Sequence, residues 1–522
     1  MVLRYQIRTC GKTRETTPQP KRESHVAEIP SHKEMHSATL LAAAVAGLAG
    51  SAAAVTVHGA LVFTRHGDRT TKWYKAQALT SLGAEQNYQV GGSYRQRYLS
   101  SSSPDAIRGI SQDKYVSSQV FASAPDQGIL MNTATAFLQG LYPPLEDVAP
   151  DVASQGLNNG TNSTSPLGGY QYVVLHGVND NSPDAIWIKG DDECPAYTAS
   201  SKGFSRSDEF RARDDATRGF YARFYDVLAP GVYNLKREDV SYARAFDVFD
   251  LVNVARIHNA TSPARNVSDE DLAQLRTLAD SAELGLNWNA SEPMRAVGAK
   301  TLSGVVLRQL NATVSSRGAT PKLSLLAGSY DTFLAFFGLT GLLDTGADFH
   351  GLPEYASSMA FELFTDGNDD KSFPADPAAN LRVRWLFRNG TAGTLKGFPL
   401  FGTGEASLPW PRFVSEMQKR AITDVGDWCD KCDSKAGFCA AYRDDDGEAG
   451  GAEKNSGGGG GDGGISKAVA GLIGAMVTLA VVAVVGGLAW MVLRRKRKGA
   501  GRQQGDKTSV RSGSTDERTD TV

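Results

Sequence analysis

Apolar residues gather along the chain in three patterns. Two short runs, residues 55–64 (VTVHGALVFT) and 323–327 (LSLLA), stop abruptly at polar clusters beginning with Arg65 and with Gly328-Ser329-Tyr330-Asp331. A continuous apolar run bounded in this way predicts a strand covered on both faces, as in a parallel sheet with helices packed on either side. Between the runs, Leu302, Val305, Val306 and Leu310 recur at the spacing of a helix with one buried face, and residues 205–315 read as mostly helical. The third pattern is longer. Residues 468–493 form 26 consecutive uncharged positions followed at once by Arg494, Arg495, Lys496, Arg497 and Lys498. As a helix they rise about 39 Å, against a hydrocarbon core of about 30 Å. This predicts a transmembrane helix at 465–493, with the basic cluster holding residues 494–522 in the cytoplasm.

A second apolar run, residues 38–57, contains Ala52-Ala53-Ala54 as a small-residue cleavage site. It predicts a signal peptide at 35–54, with Met35 an ordinary start and residues 1–34 a doubtful extension. Residues 444–464 are Gly-rich and polar, a flexible stalk with nothing to bury. The expected folded unit is residues 55–443, with a helical insertion at about 145–315.

Charge sharpens this division. The 55 basic and 57 acidic side chains give a net charge of −2, but residues 1–34 carry +3 and residues 494–522 carry +5, leaving −10 between them. An acidic middle with basic ends fits a type I membrane protein and excludes a nucleic-acid partner. Cysteine use agrees. Without Cys10, the even set Cys194, Cys429, Cys432 and Cys439 remains, expected to form disulfides in one of three pairings. Seven Asn-x-Ser/Thr sequons, at Asn159, Asn162, Asn259, Asn266, Asn289, Asn311 and Asn389, all fall between the expected signal peptide and membrane helix and are expected to carry glycans. His58, His176 and His258 are too dispersed for a metal cluster, so no metal and no cofactor is expected.

Chemistry concentrates after the first run, in Arg65-His66-Gly67-Asp68-Arg69. An imidazole between two guanidiniums suits phosphoryl transfer: the ring attacks phosphorus and the cations neutralise the non-bridging oxygens. Both positive neighbours lower the pKa of His66 and keep it nucleophilic in mild acid.

These residues resemble the histidine acid phosphatase (phytase) family of the phosphoglycerate-mutase-like superfamily. The similarity extends through Leu79-Thr80-Ser81-Leu82-Gly83 with Gln86 and Gly91, residues 136–144 (AFLQGLYPP), Cys194-Pro195-Ala196-Tyr197, and Tyr355-Ala356-Ser357 leading to Glu362. The resemblance implies an α/β fold with a mostly parallel central sheet flanked by helices and a helical inserted subdomain. It also implies a phosphohistidine on His66, Asp331 as general acid, and a small phosphomonoester as substrate. Arg65 and Arg69 then form a phosphate clamp.

The chain departs from the family pattern where Gln127 stands for a third phosphate-binding Arg, Tyr330 for the His of a His-Asp pair, and Thr71 for a Pro. Gln127 and Tyr330 can donate hydrogen bonds to phosphate but bring no charge. The thinner clamp predicts weaker phosphate inhibition and a pH optimum shifted toward neutral. The expected function is a membrane-anchored phosphomonoesterase at the cell surface rather than in a vacuole. The alternative is a weak or inactive relative that binds phosphorylated or anionic ligands there.

Overall fold

The computed structural model describes residues 55–228, 233–367 and 372–442. The doubtful extension 1–34, the expected signal peptide 35–54, the stalk 444–464, the membrane helix 465–493 and the tail 494–522 lie outside the described residues. Among the described residues no helix is long and apolar enough to cross a membrane.

The first apolar run is strand β1 (Val55–Arg65), followed by helix α1 (Ser81–Tyr98), β2 (Val120–Pro125), α2 (Gly128–Leu141) and β3 (His176–Val178). After several further helices, the longest of them Asp208–Ala222, come α3 (Ala245–His258), α4 (Asp269–Asn287) and α5 (Val297–Ser315). The second apolar run is β4 (Leu323–Gly328), which leads into α6 (Tyr330–Leu339). Strands β5 (Ser358–Asp366) and β6 (Leu381–Arg388) and helix α7 (Val425–Cys432) complete the main elements.

The strands form one sheet in the order β6-β5-β1-β4-β2-β3, extended by two short strands, Lys396–Phe398 and Leu408–Pro409, that pair with β6. β1, β4, β2 and β3 run parallel, whereas β5 pairs antiparallel with β1 and β6 antiparallel with β5. The sheet is therefore mixed, and the expectation of a mostly parallel sheet is corrected. A parallel β5–β6 pair would need a crossover of a dozen or more residues, usually helical, and among its described residues the connection holds only the four-residue helix Pro377–Asn380.

Alternation along β1 divides the interior into two cores. Leu61 and Phe63 pack with Leu326, Phe361, α5 and α6 on one face. Val57, Ala60 and Val62 pack with Val90, Tyr94 and Phe137 of α1 and α2 on the other. Leu302, Val305, Val306 and Leu310 are all buried on α5, as their spacing predicts. The insertion is helical from residue 183 onward, and short four-residue helices stand at Leu145–Val148, Pro150–Ala153 and Pro166–Gly169. Residues 145–178 hold a small hairpin (Ser154–Gly156 with Asn162–Thr164) and β3, which joins the main sheet beside β2.

Disulfides join Cys194 to Cys432 and Cys429 to Cys439. Six of the seven sequon asparagines are exposed and Asn289 is half-buried; Asn311 stands within helix α5.

Candidate active site

β1, β4 and β2 end together, with Arg65 in register with Gly328 and Ser123 with Leu326, so the residues after each strand meet at one edge of the sheet. Chemistry gathers at this carboxyl edge in sheets of this kind. The Arg65–Arg69 turn is held there by α1. Asn87 Oδ1 accepts from the Gly67 amide at 2.7 Å and Asn87 Nδ2 donates to the Arg65 carbonyl at 3.1 Å, while Gln86 accepts from the Asp68 amide at 2.7 Å. The turn lies so close to α1 that a Cβ on Gly67 would stand 2.3 Å from the Gly83 carbonyl oxygen, and one on Gly83 would stand 2.0 Å from that of Asp68. Only glycine permits this approach. Thr80 caps the helix by accepting from the Gly83 amide at 3.1 Å, and its hydroxyl donates to Asp68 Oδ2 at 2.5 Å.

His66 is buried, and its Nδ1 lies 2.9 Å from the Gly67 carbonyl. A carbonyl only accepts, so Nδ1 carries the ring proton and Nε2 keeps its lone pair. The imidazole pKa is held well below its usual value, first by burial and then by Arg65, Arg69 and Lys72. Burial thus outranks the cationic neighbours invoked from the sequence.

Arg65 lies between the rings of Tyr330 and Tyr355, at 5.1 and 4.9 Å, and donates to the Pro353 carbonyl. Burial lowers its pKa to about 10, so it stays charged in acid and at neutrality. Arg69, 1 % exposed, is paired with Asp250 of α3, its Nη1 lying 3.0 Å from Oδ1 and 3.2 Å from Oδ2. The same carboxylate accepts from the Thr71 hydroxyl at 2.8 Å and the Lys72 amide at 2.7 Å. The Nε atoms of Arg65 and Arg69 are buried without a hydrogen-bond partner among the described residues.

Tyr330 and Asp331 open α6. Burial would raise the Asp331 carboxyl, but Lys189, Lys72, the Thr332 amide and the Ser329 hydroxyl together bring it below the usual carboxylate range. Its neighbour Asp191 rises to about 7 through burial and repulsion by Asp331. Tyr330 stacks on Phe246 at 5.1 Å, accepts from Lys72 Nζ at 3.2 Å and donates to Glu283 of α4. Glu283 in turn is raised to about 7, chiefly by burial.

The structure therefore brings Arg65, His66, Arg69, Tyr330 and Asp331 together. Gln127 stands at the same sheet edge as the cap of α2, accepting at its backbone from the Leu130 and Met131 amides at 2.9 Å. Its side chain makes no hydrogen bond to any described residue.

Sequence reasoning missed Lys72, Asp191, Asp250 and Glu283. It also missed the role of His258, whose Nε2 lies 2.6 Å from Asp68 Oδ2. Asp250 carried a signal, being a carboxylate flanked on one helix by the buried Val248, Phe249, Leu251 and Val252. A cavity of about 700 Å³ lined by Arg276, Asp280, Trp288, His350 and Leu352 contains none of the motif residues.

Comparison with known proteins adds the lineage. Lysosomal acid phosphatase of Xenopus laevis is 24% identical over 386 residues, 70% of this chain and 77% of that protein. Prostatic acid phosphatase of Homo sapiens is 24% identical over 389 residues, 71% of this chain and 86% of that one. Among solved structures, the phytase from Citrobacter braakii aligns over 71% of this chain and 99% of its own at 12% identity, with a TM-score of 0.47. Residues 70–375, starting one position after Arg69 and including Asp331, match the model of the Histidine phosphatase superfamily (branch 2). A match over more than half of its length means that this chain belongs to that superfamily, and the homologues it resembles along its sequence are acid phosphatases.

Proposed function

We propose that this protein hydrolyses phosphomonoesters through a phosphohistidine on His66. The observation that carries the reading is the state of that ring: neutral in mild acid, with its Nδ1 proton held by the Gly67 carbonyl and Nε2 left as a nucleophile beside two guanidiniums. Nε2 attacks phosphorus, the ester P–O bond breaks, and the leaving alkoxide takes a proton from Asp331. Asp331 by itself is held acidic by its cations, and its proton is supplied in mild acid by the neighbouring Asp191, whose carboxyl burial and repulsion by Asp331 push up to about 7. In the second step Asp331 accepts a proton from water as its oxygen attacks phosphorus, the N–P bond breaks, and inorganic phosphate leaves. Arg65 and Arg69 neutralise the phosphoryl oxygens, and their unpartnered buried Nε donors call for acceptors of that kind.

The same reading places the catalytic unit, residues 55–443, outside the cytoplasm, with signal peptide 35–54, membrane helix 465–493 and glycans on the exposed sequons. Oxidised cysteines and acidic charge between two basic ends support it. The Arg69–Asp250 pair and the idle Gln127 side chain favour slow turnover, the specific ground for the alternative of an anion-binding relative. The deciding experiment assays the full chain on an aryl phosphate from pH 3 to 8 and traps the phosphoenzyme by acid quench. Turnover that disappears in His66→Ala and Asp331→Asn is expected; turnover equal to that of His66→Ala would leave the binding reading standing.

A further inference from the structure

Among the strongest influences on His66 are three cations, Arg65, Arg69 and Lys72. Their circumstances differ. Arg65 donates to a backbone carbonyl between two tyrosine rings, and Arg69 is neutralised by a buried carboxylate. Lys72 forms no ion pair among the described residues, and it is exposed where the two arginines are buried. Its ammonium rests on Tyr330, donating to the phenol oxygen at 3.2 Å, with the ring centroids of Tyr330 and Phe246 at 5.2 and 5.4 Å. Its field reaches His66, Asp331, Glu283 and Asp247, which places it over the centre of the site. Neither end of the residue is loose: the backbone amide is fixed by Asp250 at 2.7 Å, and the phenol that receives the ammonium is fixed by its own donation to Glu283.

We infer that Lys72 is a phosphate-binding residue of this site, supplying from the motif loop the positive charge that Gln127 and Tyr330 lack, with Tyr330 and Glu283 as its support. The inference deepens the phosphomonoesterase reading and rests on it for the identity of the anion. An ammonium is a compact charge on a flexible stem, suited to following a phosphoryl oxygen, whereas a buried and paired guanidinium is fixed. Tyr330 then serves as the rest on which the lysine waits, and it need not donate to phosphate.

The test is calorimetric titration of the full chain with inorganic phosphate at pH 5.5, alongside steady-state kinetics on an aryl phosphate. Lys72→Met keeps the stem and the amide that Asp250 holds, and removes only the charge. It is expected to weaken phosphate binding and raise KM tenfold or more, while Lys72→Arg stays within about threefold of the native chain. Phosphate binding that Lys72→Met weakens in a chain without turnover would support the inference while sinking the hydrolase reading. Binding unchanged within twofold in Lys72→Met would overturn the inference whatever the turnover. A native chain that binds no phosphate would overturn the inference, while turnover alone decides the hydrolase reading.

Discussion

Arg69 and Asp250 form an ion pair with 1% and 3% of their side chains exposed, and removing one partner of such a pair leaves a charge with nowhere to go. Asp250→Asn should lower stability by about 3–5 kcal/mol and, by freeing Arg69, tighten phosphate binding several-fold. A thermal midpoint within 1 °C or so of the native value would contradict the pairing. Glu283 gives a test of opposite sign with pH. Neutral below about 7 and anionic above it, the carboxyl opposes a bound phosphate only at the higher pH. Glu283→Gln is therefore expected to leave phosphate affinity unchanged at pH 5.5 and to tighten it about threefold or more at pH 8, each compared with the native chain at the same pH. The acid side of the profile belongs to His66. Because burial dominates its shift, activity should persist well below pH 6.5 even with the thinned clamp, which revises the neutral-shifted optimum expected from charge alone.

At the scale of elements, the contact between the motif turn and the start of α1 is the most exacting. Gly83→Ala puts a Cβ 2.0 Å from the Asp68 carbonyl oxygen, and neither backbone can yield without moving His66. A loss of about 1–3 kcal/mol is expected, together with a fall in kcat larger than that from Thr80→Ala, which removes the cap. Equal kcat in the two variants would argue against the contact. β1, β4 and α5 were legible in the sequence because burial on two faces writes an unbroken apolar run and burial on one face writes a helical period. The direction of β5 was not, since a strand buried on both faces reads the same whichever way its neighbour runs; β6 (LRVRWLFR) alternates apolar and charged positions and so carried a signal for a half-covered antiparallel strand that was missed. His66 and its arginines were legible because one turn of chain holds them. Asp250, His258 and Glu283 come from insertion helices, and the bond from His258 to Asp68 spans 190 residues, beyond any local pattern.

Across the whole molecule, the two disulfides close loops of very different length. Cys194–Cys432 spans 238 residues and Cys429–Cys439 spans 10. By loop entropy they contribute about 5 and about 3 kcal/mol, so Cys432→Ser should lower the thermal midpoint more than Cys439→Ser. His58 ties global stability to pH. Buried beside Phe373, and near Arg108 and Lys322, it has a folded pKa of about 4. Its contribution is present in full above the ordinary value of 6.5 and is lost as pH falls toward 4, so His58→Gln should flatten the acid side of a plot of melting temperature against pH.

One further consequence follows from helix α3. Its Asp250 grips Arg69, Thr71 and Lys72, and its His258 grips Asp68, so four of the first five residues after Gly67 answer to a helix from the insertion. The insertion is then no interchangeable module. Its sequence and that of the catalytic turn must change together, and a chimera given another relative's insertion would lose the registration of its own arginine.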